Sequence, residues 1–140
     1  RDHYAVRALL EGEAAYLAAQ EGTDISGIEA VYKDMKRSLA EKNYSAYKDY
    51  NESFHMAIWK ACGNEKLEHL AANLWSGLSM GYLVTEEEYA KISSIEHDEL
   101  MQALRAHDGK RARALMVAHM KRSMEDVLTN YRSFVTRGEK

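Results

Sequence analysis

Residues 44–64 read YSAYKDYNESFHMAIWKACGN. Tyr47, Phe54, Ile58 and Cys62 recur at helical spacing, and the Gly63-Asn64 pair stops the pattern. The stretch predicts a helix over about Tyr44–Cys62. It places His55 beside the apolar stripe, next to Phe54 and one turn before Ile58 and Trp59. Asn51 lies four residues before His55, so both side chains share one face a turn apart.

The same period runs outward in both directions. A first helix is expected over about Asp2–Gln20, with Leu10, Ala14, Leu17 and Ala18 inward and Gly22 ending it. A second is expected over about Ser26–Glu41, with Asp24 or Ser26 as N-cap and Ile28, Val31, Met35 and Leu39 as its stripe. Asn64 then caps a fourth, about Glu65–Tyr89, with Leu67, Leu70, Ala71, Leu74, Leu78 and Tyr82 inward and Glu86–Glu88 as a frayed end. Ser93 and Glu96 have capping-box spacing, which starts a fifth helix carrying Leu100, Met101 and Leu104. Asp108 caps a sixth, about Gly109–Val135, with Ala112, Leu115, Met116, Val127 and Tyr131 inward. No segment alternates as a strand does. The expectation is an all-α antiparallel bundle of about six helices, forming one domain over residues 1–140.

Composition agrees. The 140 residues contain no proline, where average usage would give about seven. With only eight glycines, a turn-dense β architecture is excluded. The single cysteine, Cys62, excludes an internal disulfide framework and a cysteine-rich zinc site. No apolar run approaches the roughly 20 residues of a membrane helix, and Arg1–Leu10 is no signal peptide. The chain is therefore expected to be soluble and cytoplasmic, with no membrane partner. Nineteen basic against 22 acidic residues give a net charge of −3, without the basic excess of an autonomous nucleic-acid binder. Lys110–Arg113 and Lys121–Arg122 read as solvated helix faces. The chain opens without methionine inside a helical pattern, as a piece of a longer protein would.

Three of the six histidines sit where apolar residues belong. His55 is one; His97 leads Leu100, Met101 and Leu104 at +3, +4 and +7; His119 follows Leu115 and Met116. Each falls on the inward side of a different helix. His3, His69 and His107 need only solvent or a helix end. An unpartnered buried imidazole costs about 1–3 kcal/mol. Two readings stay open: three separately satisfied core histidines, or one divalent-metal site in the bundle core. Imidazole suits zinc, nickel, copper or iron. A metalloenzyme would add a general base near a metal-bound water, with Glu52 or Glu96 as candidates. The E-x-x-H spacing of Glu52 and His55 lacks the further carboxylates of a di-iron bundle, and no zinc-protease, phosphate-loop or dinucleotide signature occurs. Arg7 also faces inward, ahead of Leu10 and Ala14. It is either the local partner of Glu11 at i+4 or a bidentate partner for a ligand carboxylate.

Together these residues resemble the FadR-type C-terminal effector-binding (FCD) domain of GntR-family bacterial transcription regulators. The resemblance rests on R-x-x-L-E at Arg7, Leu10 and Glu11, with alanines at 14, 15, 18 and 19. It continues through Phe54-His55 and the A-x-G-N turn at Ala61, Gly63 and Asn64. Glu96-His97 follows, then Asp108, Ala112, Met116 and His119. The resemblance implies a bundle of six or seven helices that senses a ligand, dimerises and is not an enzyme. It implies one divalent metal held by His55, His97 and His119 together with the residue four before the first histidine. That residue is an aspartate in the family pattern and Asn51 here, a neutral ligand from which weaker metal binding is expected. A small carboxylate or sugar-acid effector is implied beside the metal, with Arg7 reaching toward it and Trp75 and Ser79 as pocket walls. DNA binding by the parent protein would belong to an N-terminal winged helix-turn-helix with no counterpart in this chain.

Overall fold

The computed structural model describes residues 2–75 and 85–138, with side chains described through Glu125. Among them the chain forms six helices and no strand: α1 (Asp2–Ala18), α2 (Ser26–Ala40), α3 (Tyr44–Ala61), α4 (Glu65–Leu74), α5 (Glu86–Arg105) and α6 (Gly109–Gly138). The all-α reading stands. Helix α1 lies along α6, α2 along α3, and α5 along α6, while α3 touches α1, α4 and α5. The central position of α3 follows from its composition: Tyr47, Asn51, Phe54, His55, Ile58 and Trp59 are all buried. Ala14, Ala15, Ala18 and Ala19 are fully buried on or just beyond α1, and such short side chains let α1 and α6 approach closely. Phe54, Met101, Leu104 and Met116 fill the centre.

Two helix boundaries differ from the sequence expectation. The fourth helix ends at Leu74, not Tyr89; its C-cap, Trp75, is extended at φ −63°, ψ 119°. Leu78, Ser79 and Tyr82 lie outside the described residues. Leu70, expected inward, is 43% exposed. The fifth helix begins seven residues before Ser93. Thr85 is its N-cap, accepting from the Glu88 backbone N–H at 3.1 Å. Glu86–Glu88 are thus an acidic first turn, which suits the positive end of the helix dipole, and not a fraying end. Ser93 and Glu96 fall in the helix interior, where Ser93 is buried and serves the site described below.

Other ends follow their residues. Asn43 and Asn64 accept from the Ala46 and Leu67 backbone N–H groups, capping α3 and α4. The Asp108 carboxylate does the same for Arg111. Ahead of α2, Asp24 accepts from the Ser26 N–H, but the N-cap is Ile25, without a side-chain cap. Val127 and Tyr131 belong to α6, with side chains outside the described set.

Left-handed residues follow α2, α3 and α5, the last being His107 at φ 56°, and the first two differ in suitability. After α3 it is Gly63, at φ 74°; after α2 it is the exposed Lys42, at φ 58°. Lys42 closes a Schellman-type end, with Asn43 N–H bonded to Ser38 O at 2.9 Å. A Cβ in this conformation costs roughly 1 kcal/mol. Nothing lies within 4 Å of a Cβ built on Gly63, so backbone strain alone decides the outcome there. Gly63→Ala should destabilise the domain by about 1 kcal/mol, and Lys42→Gly should stabilise it by a few tenths to about 1 kcal/mol. Urea-denaturation midpoints moving in these opposite directions are the check.

Candidate metal centre

His55 on α3, His97 on α5 and His119 on α6 come together. A ring nitrogen of each lies within 4.8 Å of the other two. The rings are 5.5 Å (His55–His119), 5.1 Å (His97–His119) and 6.1 Å (His55–His97) apart, centroid to centroid. All three are buried. The three share one space, and each also has a hydrogen-bond partner of its own.

Each imidazole is held by Nδ1. His55 Nδ1 donates to Glu11 Oε1 at 2.7 Å, and His119 Nδ1 donates to Glu96 Oε1 at 2.8 Å. An ionised carboxylate only accepts, so both rings carry their hydrogen on Nδ1. His97 Nδ1 meets Tyr47 Oη at 3.0 Å, and that hydroxyl meets Ser93 Oγ at 2.7 Å. Nε2 is then the nitrogen left for the shared space. His97 Nε2 is buried and finds no hydrogen-bond partner among the described residues. Metal-ligating histidines have this arrangement, with one nitrogen anchored by a carboxylate or hydroxyl and the other turned to the ion. The donor set fits a divalent cation.

Charge states agree. Burial first, then the neighbouring imidazoles, pushes His97 well below the usual histidine range. Burial also lowers His119, partly offset by Glu96. Both are neutral lone-pair donors at neutral pH. Burial alone would raise Glu96, but His119 and Arg122 outweigh it and hold the carboxyl below its ordinary range. Glu11 behaves alike: burial opposes ionisation, while His55, Arg7 and Trp59 together prevail.

Asn51 sits on α3 one turn before His55 and is buried. Its Nδ2 donates to Tyr89 Oη at 3.0 Å, while Oδ1 has no partner among the described residues. Burial pushes the Tyr89 phenol up to about 12, so it remains protonated. Asn51 therefore offers one carbonyl oxygen unengaged among the described residues, one turn before His55.

Arg7 is 2% exposed. Its guanidinium lies 4.8 Å above the Trp75 ring and 3.6 Å from Glu11 Oε2, beyond hydrogen-bond length. Neither terminal nitrogen has a hydrogen-bond partner among the described residues. Glu11 is thus the local counter-charge of Arg7, while the terminal donors stay unengaged among the described residues. Trp75 also touches the His55 ring at 5.1 Å, linking Arg7 to the histidines. Ser79 lies outside the described residues.

Glu52 is exposed, and Glu96 is committed to His119 and Arg122. Neither is placed as a general base. The Cys62 thiol donates to the Asn64 carbonyl at 3.9 Å, and burial pushes it up, as suits an inert packed cysteine.

The chain is similar to known proteins. Residues 2–122 match the family described as the FCD domain. The chain belongs to the FCD domain family. It is also similar to the HTH-type transcriptional regulator LutR of Bacillus subtilis (strain 168), at 33% identity over 135 residues. That alignment covers 90% of this chain and 60% of LutR, so the FCD domain here spans less than two-thirds of the relative's length. No helix among the described residues is long and apolar enough to cross a membrane.

Sequence reasoning found the histidines but not what aims them. Tyr47 was read as apolar stripe, though its hydroxyl is the working part. Glu11 was read only as a partner for Arg7, although its place ahead of Ala14, Ala15 and Ala18 puts it on the same buried face. Trp59 was given no role, Ser93 was read as a cap, Tyr89 as a helix end and Arg122 as part of a solvated face, whereas the Arg122 side chain is only 23% exposed and grips Glu96. Arg122, three residues after His119, carried a usable helical-spacing signal. Glu11→Ala removes the acceptor of His55 and Trp59 and leaves Arg7 without its counter-charge. It should cost about 3–5 kcal/mol, the range for breaking a buried pair. Glu11→Gln should cost less, because it keeps an acceptor oxygen. Thermal or urea unfolding of both variants measures this.

Proposed function

We propose that this FCD domain is an effector-sensing regulatory module that holds one divalent cation on His55, His97 and His119, with Asn51 Oδ1 as a further, neutral ligand. The observation that carries this reading is the anchoring of all three imidazoles through Nδ1 around one shared space. Zinc and nickel suit the imidazoles; the asparagine carbonyl adds a harder donor. A bound cation supplies a Lewis-acidic attachment point for an anionic oxygen.

The effector in this reading is a small carboxylate or sugar acid. Arg7 supports it, since a buried guanidinium with unengaged donors matches a carboxylate bidentately. Trp75 forms a wall, and Ser79 is proposed as another. The domain acts as a homodimer in the cytoplasm, and operator binding belongs to a part of the protein outside these 140 residues. Effector binding shifts DNA affinity only by its differential affinity for the two arrangements of the dimer. A hydrolase reading needs a base that Glu52 and Glu96 do not provide.

Plasma mass spectrometry on protein purified without a histidine tag or chelator tests the metal. About one divalent ion per chain is expected, falling toward zero in His97→Ala and His119→Ala variants that keep a helical circular-dichroism spectrum. No metal after incubation with zinc, nickel or manganese would overturn the reading. In metal-loaded protein, small carboxylates should raise the melting temperature, because a ligand bound only by the folded state stabilises it.

A further inference from the structure

Asn51 places an amide one turn before His55 on α3. An amide has two unlike ends: the oxygen accepts, and the nitrogen carries two donors. The ends are nearly the same size, so half a turn about the last side-chain bond exchanges them at little steric cost. A carboxylate at this position would present an oxygen either way. For a cation the difference is decisive, because Asn51 can ligate through Oδ1 and is repelled through Nδ2. An asparagine ligand therefore needs a second group that fixes which end faces which way.

The α3–α5 seam supplies one. Two buried rows at four-residue steps face each other there: Tyr47, Asn51 and His55 on α3, and Tyr89, Ser93 and His97 on α5. The rows run antiparallel, so Tyr47 meets Ser93 and His97 while Asn51 meets Tyr89. Asn51 Nδ2 donates to Tyr89 Oη at 3.0 Å, and Oδ1 is the end left without a hydrogen-bond partner among the described residues. Tyr89 is itself fixed in the first turn of α5, where its backbone N–H bonds to Thr85 O at 3.0 Å.

This bond does more than hold the amide still. A cation on an amide oxygen draws electron density from the nitrogen and makes the N–H a stronger donor. The bond from Nδ2 to Oη is then worth more with the ion bound than without it, and that difference appears as metal affinity. A carboxylate would behave in the opposite sense. Its outer oxygen would accept from the Tyr89 hydroxyl, and a cation on the inner oxygen would weaken it as an acceptor.

Resting on the metal reading above, we propose that Tyr89 is a positioning residue for the neutral ligand of this site: by accepting from Asn51 Nδ2 it commits Oδ1 to the cation, and so lets an uncharged side chain serve as a ligand.

The test is zinc affinity by chelator competition on the 140-residue protein and its variants, with circular dichroism confirming the helical fold of each. Tyr89→Phe removes only the hydroxyl. It should weaken zinc binding roughly three- to tenfold, the worth of one net hydrogen bond. In the Asn51→Asp background the same substitution should leave zinc affinity within about twofold or tighten it, because no amide remains to be oriented. In the Asn51→Ala background it should likewise stay within about twofold. A merely structural role for Tyr89 would give the same loss in every background.

Unchanged zinc affinity in Tyr89→Phe overturns the proposal, and so does an equal loss in the Asn51→Asp or Asn51→Ala background. Should Tyr89→Phe fail to fold, heteronuclear NMR of the Asn51 side-chain amide in the unaltered protein decides, the signal being assigned by its loss in Asn51→Ala. Its protons should move downfield on addition of zinc, as those of a stronger donor do, and an unmoved or upfield signal overturns the proposal. Failure of the unaltered protein to bind zinc is a different result, and overturns the metal reading on which the proposal rests.

Discussion

One buried carboxylate organises this bundle. Glu11 Oε1 accepts from His55 Nδ1 at 2.7 Å and from Trp59 Nε1 at 2.9 Å, while Oε2 faces Arg7. It ties α1 to α3 and fixes the His55 ring by a bond that only one tautomer can make. It also allows a guanidinium to sit in the core without an unbalanced charge. A carboxylate that is 2% exposed would be too costly unless its partners were fixed in place. The alanines that follow it on α1 hold the helix close enough for those partners to reach.

Each histidine is aimed by a different device. His55 uses a carboxylate from another helix. His119 uses Glu96, which Arg122 grips through Nε at 2.7 Å. His97 uses a phenol, itself bonded to the buried Ser93 hydroxyl. The anchors come from α1, α3 and α5, so the site depends on the whole packing arrangement and not on one loop. Positions on regular helices locked by such bonds hold a ligand set more closely than loop positions do.

The fold was largely legible because helical periodicity is a local property. So were the three histidines, since an imidazole on an apolar stripe is visible in one dimension. The errors came where one signal had two meanings. Glu86–Glu88 reads equally as a solvated end or as an acidic first turn, and only Thr85, capping Glu88 N–H, decides for the second. Ser93 and Glu96 have capping spacing, yet they work in a helix interior, because spacing does not say where the backbone bonds begin. The anchors were hidden for a deeper reason. Glu11 and His55 are 44 residues apart, and Tyr47 and His97 are 50 apart. No periodicity within a helix reports a bond between helices.

Core polarity of this kind sets a limit on function. Each carboxylate bound to a histidine also faces an arginine, Glu11 with Arg7 and Glu96 with Arg122. A catalytic site usually keeps a base near its reactive water, whereas here each acidic group near the histidines is used to hold a ring or offset a cation. What remains available is an amide oxygen, a set of imidazole nitrogens and a guanidinium fork. Such groups suit the binding of an anion better than the transfer of a proton, in keeping with the regulatory reading proposed for this FCD domain.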